Sequence, residues 1–269
     1  MTKKQLEEPM YKKITKEFKK IVEKHKLQDE EINCRIIAKG FSNRQPRLSN
    51  LSKNFIEQYF KMPSREYALV KGKEVIVRCK FKDHYGDAFT DEPRTFSGKI
   101  KDVCELLSGE GGDKAVFFAT LNATLNYIEL IDGTVHCKGD EPKKCGQRLA
   151  AYILENFGKV GVAHIGYHPG HVEPCSRHFE IYVTDLNPEN IGKVKSGREI
   201  LDGSTNEEVI RKVNVACITG STLTNGTLPE LIKWCEICGV EPLIYGVTGK
   251  GAAKILNLRH FCPYGHDCP

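Results

Sequence analysis

An α/β fold is expected from three observations. After about residue 158, short β-branched runs alternate with helical patterns. Each run ends in a polar or glycine-rich turn, and the earlier part of the chain reads as a smaller mixture of strands and helices. Strands separated by helices require right-handed crossovers and hence a parallel sheet. The expected architecture is a Rossmann-like parallel sheet with helices on both faces over residues 141–269, preceded by an α+β domain over 1–140 that begins with an amphipathic helix.

Taken in order, Tyr11, Ile14, Phe18, Ile21 and Val22 recur at helical spacing, with Lys12, Lys13, Lys16, Lys19, Lys20 and Lys24 between them. The apolar residues share one face and the lysines cover the other. A nucleic-acid surface is the sharper reading of those lysines, but Glu7, Glu8, Glu17 and Glu23 dilute the field that phosphates need, so a solvated helix face is expected. Residues 74–81 read as a strand, 83–94 as a Gly/Asp/Pro-rich connection and 99–107 as a short strand or helix. The segment 115–128 (AVFFATLNATLNYI) is too long for a strand and reads as a buried helix in which Ala119 and Ala123 permit close packing. A loop spans 133–142, and Leu149, Tyr152, Ile153 and Phe157 mark a helix closed by Gly158. Strands are then expected at 159–165, 179–184, 213–218 and 242–245, with helices at 207–212, 228–238 and 251–258. No internal repeat is visible.

The 269 residues carry 40% hydrophobic and 28% charged side chains and a net charge of +5, an ordinary soluble balance. No run approaches the roughly 18 apolar residues of a membrane span, and Met1-Thr2-Lys3-Lys4-Gln5 leads into a charged segment without a secretory core. The cytoplasm is therefore the expected compartment, with neither membrane nor nucleic acid as partner; a homo-oligomer is compatible with the sequence. Eleven cysteines without a secretory signal, and odd in number, fit reduced thiols in a compartment poor in oxygen, metal binding, or both. Cys79 and Cys217 sit in strand-like runs and read as small buried hydrophobes, as do Cys235 and Cys238 on a helix beside Trp234 and Ile237.

In an open parallel sheet, ligands lie beyond the carboxyl ends of the strands. The first strand ends in Gly166-Tyr167-His168-Pro169-Gly170-His171, which lacks the G-x-G-x-x-G spacing of dinucleotide binding. The second ends in Asp185-Leu186-Asn187, where the carboxylate suits a ribose diol, a metal or a helix cap equally. The third opens into residues 219–227, in which Thr219, Gly220, Ser221, Thr222, Asn225 and Thr227 supply hydroxyls, an amide and backbone N–H groups expected to surround an anion at a helix start. The fourth gives Thr248 within Gly246-Val247-Thr248-Gly249-Lys250-Gly251, which departs from the phosphate-loop pattern. Soft ligand types cluster at three places: His136, Cys137 and Cys145; His164, His168, His171 and Cys175; and Cys262, His266 and Cys268 in the tail. Imidazole and thiolate suit zinc, nickel, cobalt, copper or iron–sulfur chemistry. His136, Cys137, His168, His171, Cys262 and His266 are the candidate metal ligands.

The segments Gly166-Tyr167-His168-Pro169, 185–192 (DLNPENIG) and 219–227 (TGSTLTNGT) together resemble the heavy-metal-chelation family, Rossmann-like proteins of bacteria and archaea, many of them anaerobic. The resemblance continues through Tyr245-Gly246-Val247-Thr248 and Gly251-Ala252-Ala253 to Phe261-Cys262, and reaches back to about residue 60. It implies an amino-terminal domain similar to that of enolase, closing with the helix around Thr120-Leu121-Asn122-Ala123, and a ligand or metal site in the cleft between domains. It also implies a setting in cofactor metabolism, including that of cobalamin-type cofactors. The first forty residues and the dense cysteines fall outside what the resemblance explains.

The expected function is to bind or process a transition metal, or a metal-containing or anionic cofactor, in that cleft. The alternative is an enzyme using an adenosyl or nucleotide cofactor, such as an S-adenosylmethionine-dependent methyltransferase in cofactor biosynthesis. No nucleophile, base and orienting group can be recognised as a set, so catalytic residues stay unassigned.

Overall fold

A computed structural model of the chain describes residues 3–39 and 74–269; Met1, Thr2 and the stretch near residue 60 where the family resemblance begins lie outside the described residues. The first helix, α1 (Lys3–Lys24), buries Tyr11, Ile14, Phe18 and Val22 and leaves Lys12 and Lys13 exposed, as its spacing requires. Its apolar face is part of the main core. Phe18 meets Phe117 edge-on at 5.5 Å, and the Tyr11 hydroxyl donates to Leu223 O at 2.7 Å.

A four-stranded antiparallel sheet follows, in the order β3-β2-β1-β4, from β1 (Glu31–Lys39), β2 (Val75–Phe81), β3 (His84–Thr90) and β4 (Phe96–Lys99). The 83–94 segment is therefore not mainly a connection. Lys82, at φ 53°, turns the chain, and β3 pairs with β2 along its length. Gly86 looked like a loop residue but answers to packing. A Cβ there would overlap Ala119 O and Ala123 N of helix α3 (Gly111–Tyr127), so glycine on the strand and alanines on the helix let the two approach closely. Helix α3 is buried on every side from Ala115 to Asn126, which is why its sequence has no polar stripe. The short helix α2 (Ile100–Val103) joins β4 to this layer.

The second sheet has seven strands in the order β11-β10-β9-β5-β6-β8-β7. They are β5 (Gly161–Ile165), β6 (Glu180–Asp185), β7 (Val194–Lys195), β8 (Arg198–Asp202), β9 (Val215–Thr219), β10 (Glu241–Tyr245) and β11 (Arg259–Phe261), all parallel except the β7 edge. Period-two alternation divides each strand between two cores. Val162, Val183, Val215, Cys217 and Leu243 face one way, with helices α4 (Glu141–Phe157) and α5 (Pro169–Ser176). Ala163, Ala216, Ile218 and Ile244 face the other, toward α6 (Asn206–Ile210), α7 (Leu228–Cys238), α8 (Lys250–Leu256) and α1. The expected strands at 159–165, 179–184, 213–218 and 242–245 are β5, β6, β9 and β10. The β7–β8 hairpin and β11 were not foreseen. Neither was α5, whose Pro169, Gly170 and Pro174 mask it; Pro169 is tolerated in the first turn, where its missing N–H costs nothing.

Strand β5 pairs with β6 on one side and β9 on the other, so the chain order reverses there and the parallel sheet has its switch point between β5 and β9. Among the described residues, no helix is long and apolar enough to cross a membrane.

Candidate functional site

At the carboxyl ends of β5, β6, β9 and β10, opposite the end of β3 and the 134–142 loop, lies a cavity of about 350 Å³, within the range of small-molecule sites. Two glycines shape its floor. Gly166 (φ +88°) and Gly246 (φ +86°) reverse the chain at the ends of β5 and β10, and a Cβ on Gly166 would come within 2.7 Å of Thr219 Cγ2. The Gly166 carbonyl thereby receives both the Tyr245 hydroxyl (2.8 Å) and His164 Nδ1 (2.9 Å).

One wall is nitrogen and sulfur. His136, Cys137, Cys145, His168, His171 and Cys262 all line the cavity. His168 and His171 stack with ring centroids 3.9 Å apart, and His164 lies beneath, its Nε2 3.2 Å from His171 Nδ1. These groups are neutral at pH 7. Burial lowers His136 to about 4, His164 to about 4 and His168 to about 3, with neighbouring histidines adding to the shift of His168. Burial also holds His171 well below the usual imidazole range, and pushes up the thiols of Cys137, Cys145 and Cys262.

The 134–142 loop that brings His136 and Cys137 to this wall is fixed by a buried ion pair. Arg78 on β2 grips Asp87 on β3 through two bonds, Nε to Oδ1 at 2.6 Å and Nη2 to Oδ2 at 2.7 Å, and Asp87 Oδ2 also accepts the backbone N–H of His136 at 2.9 Å. On the far side, Asn122 of α3 donates to Asp87 O and Val247 O and accepts Gly251 N–H, tying β3 to the loop that carries Thr248. Thr248 Oγ1 accepts Phe89 N–H at 3.0 Å.

The other wall is acidic. Glu74, Asp91 and Asp185 line the cavity, and no lysine or arginine is among its described lining residues. Burial raises the Glu74 carboxyl to about 7, Ser221 opposes this by hydrogen-bonding the charged form, and Asp185 and Asp91 push it further up. The 219–227 loop is thus already in contact with a carboxylate of the chain itself.

Most of the loop's expected anion-binding groups are engaged elsewhere. Thr222 Oγ1 donates to Thr219 O at 2.6 Å, Thr224 Oγ1 donates to Phe89 O at 2.8 Å, and Thr227 Oγ1 donates to Asn225 Oδ1 at 2.7 Å. Thr222 and Thr227 do not line the cavity, whereas Gly166, His168, Asp185, Asn187, Thr219, Gly220, Ser221, Asn225 and Thr248 do. Asp185 is an organiser of its own turn. Its Oδ1 accepts Asn187 N–H (2.9 Å), and its Oδ2 accepts Tyr167 N–H (3.2 Å) and Asn190 Nδ2 (2.8 Å). Little of the carboxylate is left to take both hydroxyls of a ribose.

Of the candidate metal ligands, His266 stands apart. Its Nε2 bonds Glu141 Oε2 at 2.8 Å, outside the cavity lining, and Cys268 is exposed. The tail is nonetheless ordered by pairing between Val135 and His266 and by Asp267, which accepts Gly133 N–H at 2.6 Å. Among the described residues, no group of three or more His, Cys, Asp or Glu is arranged to hold a metal ion. Cys137 Sγ lies 4.0 Å from His136 Nε2, against about 3.5 Å for two ligands sharing a tetrahedral zinc with bonds near 2.0 and 2.3 Å. The set does not fit a bare ion held by protein ligands alone.

Sequence reasoning missed Glu74, Phe89, Asp91 and Tyr245. Glu74 stands at the head of an apolar strand and Phe89 and Asp91 at the far end of a strand read as a loop, so nothing local distinguishes them; only the opposition of the two sheets brings them here.

Residues 150–250 match the family model described as "Putative heavy-metal chelation" (DUF364), the same family that the TGSTLTNGT run resembles. The chain is similar in fold to a crystal structure of a DUF364 protein of unknown function from Pyrococcus horikoshii, at 14% identity and a TM-score of 0.50 over 90% of this chain and 80% of that one. A second DUF364 structure, from Desulfitobacterium hafniense, aligns at 10% identity and a TM-score of 0.46 over 64% and 67% of the two chains. No curated protein matches the chain.

Proposed function

We propose that this chain, matched by the heavy-metal-chelation family model over residues 150–250, binds a small cationic or neutral metal chelate in the cavity between its two sheets. The observation that carries the reading is the division of the cavity into a neutral imidazole and thiol wall and a carboxylate wall, with no cationic side chain among its described lining residues. Nitrogen and sulfur donors face the metal, which takes soft or borderline ligands readily. The carboxylates favour a positively charged guest. With no group of three or more such donors among the described residues, the remaining coordination positions fall to the guest's own ligand, and about 350 Å³ gives that ligand room. Eleven free thiols suit work in a reducing cytoplasm, in the metabolism of a metal-containing cofactor.

A nucleotide's phosphates, or the carboxylate of S-adenosylmethionine, would instead meet Glu74, Asp91 and Asp185 without a counter-charge among the described lining residues. The test is thermal unfolding with zinc–phenanthroline, a cationic complex whose ligand fills two positions and leaves two of a tetrahedron for the protein. At one hundred times its dissociation constant, it should stabilise the chain by about 2.7 kcal/mol, a rise of roughly 5–11 °C for a protein of this size. Anionic zinc–nitrilotriacetate, metal-free phenanthroline, ATP and S-adenosylmethionine should leave the midpoint unchanged. Stabilisation by ATP or S-adenosylmethionine without any by zinc–phenanthroline overturns the reading.

A further inference from the structure

The hydrogen bonds beneath the nitrogen wall determine which nitrogen of His171 faces the cavity as a lone pair. The Gly166 carbonyl can only accept, so His164 Nδ1, 2.9 Å away, carries a proton. His164 is wholly buried on the face of β5 that α5 covers, and an uncharged imidazole with its proton on Nδ1 has a bare Nε2 that accepts. His171 Nδ1, 3.2 Å from that nitrogen, must then donate. His171 is itself buried, and an uncharged imidazole that donates through Nδ1 carries no hydrogen on its second nitrogen. That Nε2 meets no hydrogen-bond donor among the described residues, and His171, unlike His164, lines the cavity.

We propose that His164 is a positioning residue that locks His171 in its Nδ1–H tautomer, so that His171 Nε2 is the lone pair offered to the metal of the bound chelate. The assignment of the metal as the guest rests on the function proposed above; the tautomer relay does not. The relay begins at Gly166, whose positive φ accompanies a carbonyl turned inward onto His164 and the Tyr245 hydroxyl. It is the arrangement by which metal-binding imidazoles are generally held, with the far ring N–H donated to a fixed acceptor. Here the acceptor is a second histidine, itself fixed by the backbone.

Long-range proton–nitrogen correlation spectra of uniformly labelled protein at pH 7 report the tautomer directly. Wild-type His171 should be protonated at Nδ1 and bare at Nε2, and zinc–phenanthroline should shift the Nε2 resonance. His164→Gln, whose amide oxygen can replace the lost acceptor, should keep both the tautomer and the affinity within about three-fold. His164→Leu should give a mixture of tautomers and lose roughly 10–100-fold in zinc–phenanthroline affinity. If the Leu variant does not fold, the wild-type spectrum and the Gln variant decide. A wild-type His171 protonated at Nε2, or a folded Leu variant with tautomer and affinity unchanged, overturns the relay. The expected tautomer in a wild type that binds no zinc–phenanthroline overturns the metal's role and leaves the relay standing.

Discussion

Replacing Asp87 by alanine separates two things the structure joins, the stability of the small sheet and the placement of the nitrogen wall. Asp87 is fully buried and Arg78 is 5% exposed, and the pair is bidentate at 2.6 and 2.7 Å. Asp87→Ala takes its bidentate partner from a buried guanidinium, which costs about 3–5 kcal/mol, or a fall of roughly 6–20 °C in midpoint at about 2–4 °C per kcal/mol. Arg78→Leu combined with Asp87→Leu removes both charges and should return most of that stability, because apolar replacements of a buried pair are commonly neutral. It does not return the acceptor for His136 N–H, 2.9 Å from Asp87 Oδ2. Zinc–phenanthroline affinity should therefore stay at least ten-fold weak in the double variant while its thermal midpoint recovers. Calorimetric binding alongside thermal melts reads both. A single variant that loses less than about 1 kcal/mol would show that the pair is not buried as described, and a double variant with native affinity would show that it does not position the 134–142 loop.

Other predictions follow from the same contacts. Burial keeps His136, His164 and His168 at about 4, 4 and 3 and holds His171 well below the usual imidazole range, so the unfolded chain takes up protons first on acidification. Stability is full above pH 6.5 and falls as pH drops toward 4, with a slope approaching four protons in urea titrations; a slope under one proton would contradict the buried cluster. Glu74 has the opposite sign. Its carboxyl is raised to about 7, so its contribution is present below about 4.5 and is lost as pH rises through 7, and Glu74→Gln should gain up to about 3 kcal/mol at pH 8 but nothing at pH 4. Gly166→Ala should cost about 3 kcal/mol through its positive φ and the Thr219 contact, so equilibrium unfolding that matches wild type would refute the required turn. Asn122→Ala leaves the Asp87 and Val247 carbonyls and Gly251 N–H without their buried partner and should cost about 3 kcal/mol; hydrogen exchange at Gly251 should accelerate.

What the sequence made legible was local. Four strands declared themselves by β-branched runs, and the rule that ligands gather at their carboxyl ends led to Gly166, Asp185, Thr219 and Thr248, all of which line the cavity. Period-two and period-3.6 patterns survive in a single sequence because each depends on near neighbours. The remainder depended on contacts between distant segments. Gly86 made β3 read as a loop, although its missing side chain is what α3 packs against. Pro169 and Pro174 hid α5, and with it the reason His171 reaches His164. The hydroxyls of residues 219–227 suggested an anion site because their number was visible and their partners were not. Thr222 and Thr227 bond within the loop, and the carboxylate of Glu74 meets Ser221 from the other sheet.

The central claim is met most directly by X-ray absorption at the zinc edge of protein loaded with zinc–phenanthroline. Phenanthroline nitrogens together with imidazole scattering from the protein are expected, the imidazole component falling in His171→Ala while that variant remains folded. A spectrum identical to the free complex, or an imidazole signal unchanged by His171→Ala, would contradict the proposal that this cavity holds a metal chelate through His171.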